Sequence, residues 1–408
     1  MAEATAMITV EELLERVLGT VEVLSDFPLP LMDALGLALA EDVDAEVALP
    51  SFDNSAMDGY AVVAADVAGA SASTPVELPV VGEIGAGQAG LLALSPGTAV
   101  KIMTGARVPH GAAAVVQYEA TDRGVARGRN SQAPAVGRHI RRAGDDVSQG
   151  QRLLDAGTVI GPRQLGLLAA VGRSTVRTRP RPRVVVISTG SELRDPGAPL
   201  TEGAIYDGNS YLIAAAARAA GALAYRVGIV PDDPRTFREA LDDQLVRADI
   251  VVTTGGVSEG DFDVVKEALR EEEGMWFGKV AMQPGKPQGF GTSGEDRVPI
   301  FTLPGNPVSA YVSFQMFVLP AIRQMMGISP AVRPTRAATL SAPVKVSPGR
   351  RQFLRGHYAD GQVTPVGGHG SHMLGGLSTA NALIVVPEEV TAVPARGRVQ
   401  VLVLDEEF

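Results

Sequence analysis

Residues 183–327 alternate runs that are apolar throughout with runs apolar on one face only, and no other feature restricts the fold as strongly. RVVVISTG (183–190), AYRVGIV (224–230) and ADIVVTTGG (248–256) read as buried strands. Between them GNSYLIAAAARAAG reads as a helix, with Asn209 as its cap and Gly221 as its stop. PRTFREALDDQLVRA reads as a second helix, with Phe237, Leu241 and Leu245 on one face. FDVVKEALREEEG follows as a helix, FGKVAMQ and VPIFTLPG as strands, and NPVSAYVSFQMFVLPAIRQMMG as a long closing helix. Strands without polar alternation need cover on both faces, so this stretch predicts an open parallel sheet between helical layers.

The flanks differ. Residues 8–20 read as a helix that Thr9 caps, with Glu12 as the return half of a capping box. Val10, Leu13, Leu14, Val17, Leu18 and Val21 line one face, suited to packing or to dimer formation. From about 50 to 140, short runs such as VELPVVGEIG, TAVKIMTG and AAAVVQYEA between turn signals predict a β-rich, loop-rich unit. From about 330, LSAPVKV, RRQFLRGHY, ALIVVPEE and GRVQVLVLDEE predict a small barrel or sandwich. RSTVRTRPRPR (173–183) is the expected linker into the α/β stretch. A chain of 408 residues suits roughly two to three domains.

Composition removes several chemistries. There is no cysteine, so no thiol nucleophile, disulfide or thiolate metal site exists. The net charge of −10 argues against nonspecific nucleic-acid binding, which needs a basic surface. Glu3, Glu11, Glu12 and Glu15 break any signal-peptide core, and no run reaches the about 20 apolar residues of a membrane span. A soluble cytoplasmic protein is expected. Of the five histidines, His369 and His372 lie in GGHGSHMLGG, where a plain loop reads better than a zinc site.

Ligands of open parallel sheets bind beyond the carboxyl ends of the strands, where three exits are unusual. Ser188-Thr189-Gly190-Ser191-Glu192 is either an ordinary turn or a close-approach site with a carboxylate. In TTGGVSEGDFD (253–263), Asp261 and Asp263 are either first-turn helix carboxylates or ligands of a hard cation beside a phosphate. In LPGNPVSA (303–310), Asn306-Pro307 opens the closing helix, whose free N–H groups suit an anion, and Lys286 of PGKP lies just upstream. Together these suggest a phosphate-bearing ligand. The chain lacks GxxxxGK[ST] and GxGxxG, so metal-assisted attack at a phosphoanhydride fits better than P-loop or dinucleotide chemistry. PSFDNSAMDGYAV (50–62), KIMTGARVPHGAAAVV (101–116) and RRAGDDV (141–147) are distinctive, yet composition and period assign them nothing beyond turn chemistry.

PSFDNSAMDGYAV, AVKIMTGARVPHGAAAVV, IRRAGDDV, STGSEL, IYDGN, GGVSEGDFD, PGKPQGFG, LPGNPVSA and GHGSHMLGGLSTAN occur in that order. Together they closely resemble the molybdopterin molybdenumtransferase family (MoeA), related to the gephyrin E domain, over about residues 8–400. The resemblance implies a multidomain α/β plus β fold in a homodimer. Residues 1–27, 44–53 and 142–180 would form a segmented, dimer-forming domain I. Residues 28–43 and 54–141 would form the β-rich inserted domain II. Residues 181–328 would form a three-layer, MogA-like α/β domain III, and 329–408 a C-terminal β-barrel, domain IV.

It also implies a reaction. Molybdate enters adenylylated molybdopterin, AMP leaves with magnesium assistance, and molybdenum cofactor is the product. A molybdopterin adenylyltransferase would act upstream and apo-molybdoenzymes downstream, with no nucleic-acid or membrane partner. Carried over by position, Asp263, Glu192 and Asp232 resemble the acidic cluster that handles metal and the phosphoanhydride. Gly255, Gly256, Val257 and Ser258 match the nucleotide turn, Lys279 and Lys286 the anion ligands, and Pro304 and Pro307 the turn beside them. Asp58, Thr104 and Asp146 match residues that face the cleft from the partner chain. Arg355 and Ser371 match candidate oxyanion contacts, with Arg350 and Arg351 near them. Gln283 stands where other members carry lysine, and Ser191 replaces an acidic residue of some relatives. Other readings on the same α/β domain are an adenylyltransferase, a nucleotide-pyrophosphate hydrolase or a non-catalytic scaffold paralogue. The full-length pattern disfavours the first two, and the retained Asp58, Asp263 and Lys286 argue against a non-catalytic paralogue.

Overall fold

The computed structural model describes residues 7–88, 93–256, 263–270, 272, 274–406 and 408. The first helix is Val10–Thr20, and its capping box forms as the sequence predicts. Thr9 Oγ1 accepts the Glu12 N–H at 3.1 Å, and the Thr9 N–H donates to Glu12 Oε2 at 2.6 Å. Its stripe Val10, Leu13, Val17 and Val21 is buried within this chain, in one core with Phe314, Phe317 and Ile322. Gln324 Nε2 fastens the helix end, donating to the carbonyls of Leu18 (2.7 Å) and Val21 (2.6 Å). The stripe expected to suit dimer formation is therefore covered by the α/β unit.

Strand Phe27–Pro30 pairs antiparallel with Thr175–Thr178, and Val43–Asp44 with Arg152–Leu154. Ala34, Leu39 and Val43 share a core with Ile160, Leu168 and Val176. Residues 28–43, grouped by the resemblance with the β-rich insertion, thus pack against 152–178 instead. Their leucines are covered by the helix Pro162–Ala170. The insertion itself is a five-stranded sheet in the order Ala114–Gln117, Gly59–Val62, Ala99–Ile102, Val76–Ile84, Arg127–Asn130. Alternation along Gly59–Val62 sends Tyr60 and Val62 into one core and Ala61 into another, so both faces are filled.

The α/β sheet comprises β1 (Arg183–Ser188), β2 (Leu223–Arg226), β3 (Ile250–Thr254), β4 (Trp276–Lys279), β5 (Pro287–Ser293) and β6 (Val298–Leu303). Their order is β2-β1-β3-β6-β5-β4. The first four are parallel, and β5 runs antiparallel to both neighbours. Val184, Val186, Ile250 and Val252 face the helix Asn209–Ala219 and the closing helix. Val185, Ile187, Val251 and Ile300 face the helices Pro234–Leu245 and Val264–Ala268. Alternate residues of one strand thus feed opposite cores, and the three-layer sandwich follows.

The closing helix is continuous but not uniform. Pro307–Ser313 is α-helical, Phe314–Val318 is a π-turn, and Leu319–Met325 returns to α. Pro320 explains the wide turn: it has no N–H to donate, and its ring needs room where the preceding carbonyls would crowd it.

Beyond residue 330, Arg336–Leu340, Gln362–Pro365, Arg351–Ala359, Ala382–Val386 and Arg398–Val403 pair in a ring that closes on itself. This five-stranded barrel is filled by Leu340, Val363, Ile384, Val401 and Val403. Met282–Gln283 runs parallel to its strand Arg351–Ala359 and so ties the barrel to the α/β unit. Among the described residues no helix is long and apolar enough to cross a membrane.

Candidate functional site

Beyond the carboxyl ends of β1, β3 and β6, three turns meet. Thr189 donates its N–H to the Thr254 carbonyl at 3.2 Å, and Gly255 donates to Leu303 at 3.2 Å. Gly255 lies at φ +96°, and a Cβ there would stand 2.8 Å from the Thr189 carbonyl oxygen. The turn therefore requires glycine on both counts. A Cβ on Gly305 would stand 3.6 Å from the Gly255 Cα, so the LPGN turn lies against the TTGG turn. Gly256 closes over Val265 of the next helix. Val257, Ser258 and Asp261 lie outside the described residues.

A buried polar network backs these turns. Asp207, 1% exposed, accepts the Ser188 hydroxyl (3.1 Å), the Ser210 N–H (3.0 Å) and the Ser210 hydroxyl (2.5 Å). Arg226 lies 3.8 Å from that carboxylate and donates to Ser210 Oγ at 2.7 Å. Asn209 Nδ2 donates to the Gly305 carbonyl at 2.6 Å and so joins this network to the LPGN turn. Sequence reasoning quoted IYDGN but gave Asp207 and Asn209 no role in the site. The available signal was an aspartate and an asparagine bracketing a glycine directly at a helix start, beyond a buried sheet.

The expected carboxylates have distinct surroundings. Asp232 Oδ2 accepts the Ser191 N–H at 2.8 Å, and the Asp232 N–H returns to Ser191 Oγ at 3.3 Å. Asp232 therefore shapes the STGSE turn. Glu192 folds back over Gly190, whose Cβ position is 2.7 Å from Glu192 Oε2. Asp263 occupies the N-cap position of Val264–Ala268, yet its side chain makes no capping bond. Among the described residues no three His, Asp or Glu side chains gather as a metal site. Asp263, Glu192 and Asp232 thus do not form a ready-made three-carboxylate cluster.

Lys279 ends β4 and Lys286 precedes β5, and the Val280 N–H donates to the Lys286 carbonyl at 2.8 Å. The turn between them is pinned from behind. Gln288 Nε2 donates to the Gly285 carbonyl (2.6 Å) and to Ser313 Oγ (2.5 Å) of the closing helix. Gln283 pairs with Gln352, whose Nε2 reaches Gln283 Oε1 at 3.4 Å. Gln283 thus places an amide at the seam with the barrel. A cavity opens along that seam, lined by Gln283, Pro284, Val308, Gln352 and Arg355. Pro304 is buried, and Pro307 takes the first helical position.

The barrel residues have backbone partners of their own. Arg355, matched to an oxyanion contact, is 4% exposed. Its Nη1 donates to the carbonyls of Gly370 (3.1 Å) and Met373 (3.0 Å), and its Nη2 to that of Gly368. Nη2 also lies 3.8 Å from Met373 Sδ, and Nε is buried without an acceptor among the described residues. Burial pushes the guanidinium below its ordinary pKa. Ser371 acts through its backbone, accepting the Val308 N–H at 3.0 Å. That bond occupies one of the helix-start donors expected to suit an anion. Arg351 pairs with Glu11 and, at 3.0 Å, with Glu388, so it links the first helix to the barrel.

Asp58 and Thr104 meet within the β-rich unit. Asp58 Oδ1 accepts both the Thr104 N–H (2.7 Å) and its hydroxyl (2.8 Å). These donors, the N–H first, hold the carboxyl below the ordinary aspartate range. Asp146 is exposed in a loop hydrogen-bonded to Leu49. All three belong to other units than Asp263 and Glu192, so the expected residues fall into two groups in one chain.

The chain matches the family model described as MoeA N-terminal region (domain I and II) over residues 8–172. It matches a probable molybdopterin binding domain over 185–324 and the MoeA C-terminal region (domain IV) over 337–404. It is 48% identical to Molybdopterin molybdenumtransferase 2 of Mycobacterium tuberculosis over 381 residues, 91% of this chain and 93% of that one. It is 36% identical to Molybdopterin molybdenumtransferase of Bacillus subtilis, covering 92% of this chain and 89% of that one. The crystal structure of a molybdopterin biosynthesis MoeA protein from Pyrococcus horikoshii superposes with a TM-score of 0.86 at 30% identity, over 98% and 100% of the two chains.

Proposed function

Since the chain belongs to the molybdopterin molybdenumtransferase (MoeA) family, we propose that it inserts molybdate into adenylylated molybdopterin and releases AMP. It is a transferase of molybdenum cofactor biosynthesis. The observation that carries the finer reading is the meeting of the Thr189, Gly255 and Gly305 turns at one end of the parallel sheet. Backbone approaching this closely, with Lys279 at the end of β4 and Lys286 just before β5, suits a phosphoanhydride and an oxyanion.

In this reading Gly255, Gly256 and the Pro304–Pro307 turn cradle the nucleotide, and Lys279 and Lys286 receive anionic oxygens. The dithiolene sulfurs of the substrate take molybdenum, so a chain without cysteine suffices. Water adds to the anhydride phosphorus, the bridging P–O bond breaks, and AMP departs. A divalent ion such as magnesium fits the donor set: it usually takes one or two carboxylates and completes its shell with phosphates and water. Asp263 and Glu192 would hold it, while Asp232 keeps the Ser191 turn in place. The chemistry such an ion supplies is charge neutralisation at the anhydride. Asp58, Thr104 and Asp146 would complete the site from the second chain of a cytoplasmic homodimer. A molybdopterin adenylyltransferase would supply the substrate, and apo-molybdoenzymes would take the product.

The test is AMP release from adenylylated molybdopterin with Mg²⁺, with and without molybdate, for the native chain and Asp263→Asn. Molybdate-dependent release by the native chain, reduced about a hundredfold or more in the variant, is expected if this carboxylate acts at the reacting centre. Intact substrate binding with no AMP from the native chain would overturn the reading.

A further inference from the structure

We propose that Asp207 is a positioning residue. Its buried carboxylate orients the hydroxyls at the ends of β1 and β3 and so holds the Thr189 and Gly255 turns in the arrangement that receives the nucleotide. The inference deepens the transferase reading and rests on its assignment of these turns to the nucleotide.

A carboxylate accepts and a hydroxyl has one proton to give, so the direction of each bond around Asp207 follows. Ser188 donates its proton to Asp207 Oδ1 at 3.1 Å. The Thr254 hydroxyl, 3.0 Å from Ser188 Oγ, must then be the donor in that contact. Ser210 donates its proton to Asp207 Oδ2 at 2.5 Å, which leaves its lone pairs to accept from Arg226 Nε at 2.7 Å. The Ser210 N–H completes the set at Oδ1, 3.0 Å away. Asp207, Ser188, Ser210 and Thr254 are all buried, so water is no alternative partner for any of them.

The positions of these residues give the network its role. Ser188 and Thr254 are the last residues of β1 and β3 and lie side by side in the parallel register. Thr189 and Gly255 follow them directly, so the two turns start from the two oriented hydroxyls. Asp207 itself lies just before the helix Asn209–Ala219, and Arg226 at the end of β2 sets a positive charge 3.8 Å from its Oδ2. The guanidinium is held in turn over the Tyr211 ring of that helix, 3.4 Å from the ring centre. Asp207→Asn fills the same volume but cannot serve the same set. An NH2 at Oδ1 would face the two Ser210 and Ser188 donors, and an NH2 at Oδ2 would face Arg226 and the Ser210 hydroxyl. Volume is thus preserved while a bond is lost.

The experiment is calorimetric titration of AMP with Mg²⁺ into the full chain, as native protein, Asp207→Asn, Ser188→Ala and the double variant. Melting temperatures and AMP-release kinetics are measured in parallel. The Kd for AMP is expected to rise about tenfold in Asp207→Asn, as for loss of one hydrogen bond. KM for the adenylylated substrate is expected to rise with it and kcat to change less. The double variant is expected to bind AMP no more weakly than Asp207→Asn alone, because both substitutions act on one bond. A lowered melting temperature with native Kd in Asp207→Asn would overturn the proposal, and so would losses that multiply in full in the double variant. Should Asp207→Asn fail to fold, Ser188→Ala decides. A Kd raised several-fold at a near-native melting temperature supports the proposal, and a native Kd overturns it. Native chain that binds no AMP would overturn the assignment of the turns and the proposal with it. Native chain that binds AMP yet releases none from the adenylylated substrate would defeat the transferase reading and leave the binding result standing on its own.

Discussion

At Asp58 one carboxylate oxygen receives two donors from Thr104, and at Asp53 the pattern recurs across the chain. Asp53 Oδ1 accepts the Ala143 N–H at 2.9 Å and Oδ2 accepts Arg142 at 2.5 Å. The Ala143 N–H and then the Arg142 side chain hold Asp53 below the ordinary aspartate range. For both residues the folded value is depressed. Their contributions to stability are present above the ordinary aspartate value of about 3.9 and are lost as pH falls through the folded values. Acid is therefore expected to loosen the 50–58 and 142–146 loops before the sheet cores open, which residue-resolved amide exchange followed from about pH 5 downward, through and below the ordinary aspartate value, would check. Thr104→Val removes the hydroxyl donor and is expected to move the Asp58 titration up toward the ordinary value, read from side-chain carboxyl chemical shifts. An unmoved titration would show that the hydroxyl contributes nothing to that carboxylate. Motif reading placed Asp58 and Thr104 among the candidates. It did not reveal that they are hydrogen-bonded partners, because 46 residues separate them and only the pairing of Gly59–Val62 with Ala99–Ile102 brings them together.

Elements were legible where one local rule dominated. The capping box at Thr9 and the 3.6-residue stripe behind it agree, and the first helix forms as read. β1, β3 and β6 are apolar throughout because both faces are covered. β5 was not legible. Its sequence, PQGFGTS, begins with proline and carries two glycines, which local propensity assigns to a turn. The tertiary structure explains them. A Cβ on Gly289 would stand 2.1 Å from Thr302 Oγ1 and 2.7 Å from the Phe277 ring, so only glycine lets β4 and β6 flank this strand. Gly289→Ala is expected to cost about 1–3 kcal/mol, as overpacking does, and to lower the melting temperature by several degrees. Gly69→Ala, where nothing lies within 4 Å, is the matched control. Equal melting curves for the two variants would mean that β5 yields easily. The π-turn at Phe314–Val318 escaped sequence reading for a related reason: Pro320 announces a disturbance, but not whether the helix breaks or widens.

For the whole molecule, composition shifts marked the units, whereas their contacts were hidden because they depend on residues far apart in sequence. The first helix is the clearest case. Its apolar stripe suited a partner chain equally well, yet it is buried against the closing helix, and Arg351 joins its Glu11 to Glu388 of the barrel. The apolar stripe of that helix is therefore taken up within this chain. The distribution of the candidate residues makes the geometry of the proposed homodimer testable. Asp58 and Thr104 hydrogen-bond to each other inside the β-rich unit, while Asp263 belongs to the α/β unit. If each site takes Asp263 from one chain and Asp58 from the other, chains carrying Asp58→Asn and chains carrying Asp263→Asn complement one another. A mixed dimer then holds one doubly altered site and one intact site. With random exchange of subunits in a two-fold dimer, half the dimers are mixed, so activity recovers to roughly a quarter of native. The measurement is AMP release after the two inactive variants are unfolded together and refolded, with each variant refolded alone as the baseline. A site built from one chain predicts no recovery, since every site would then lack one carboxylate or the other.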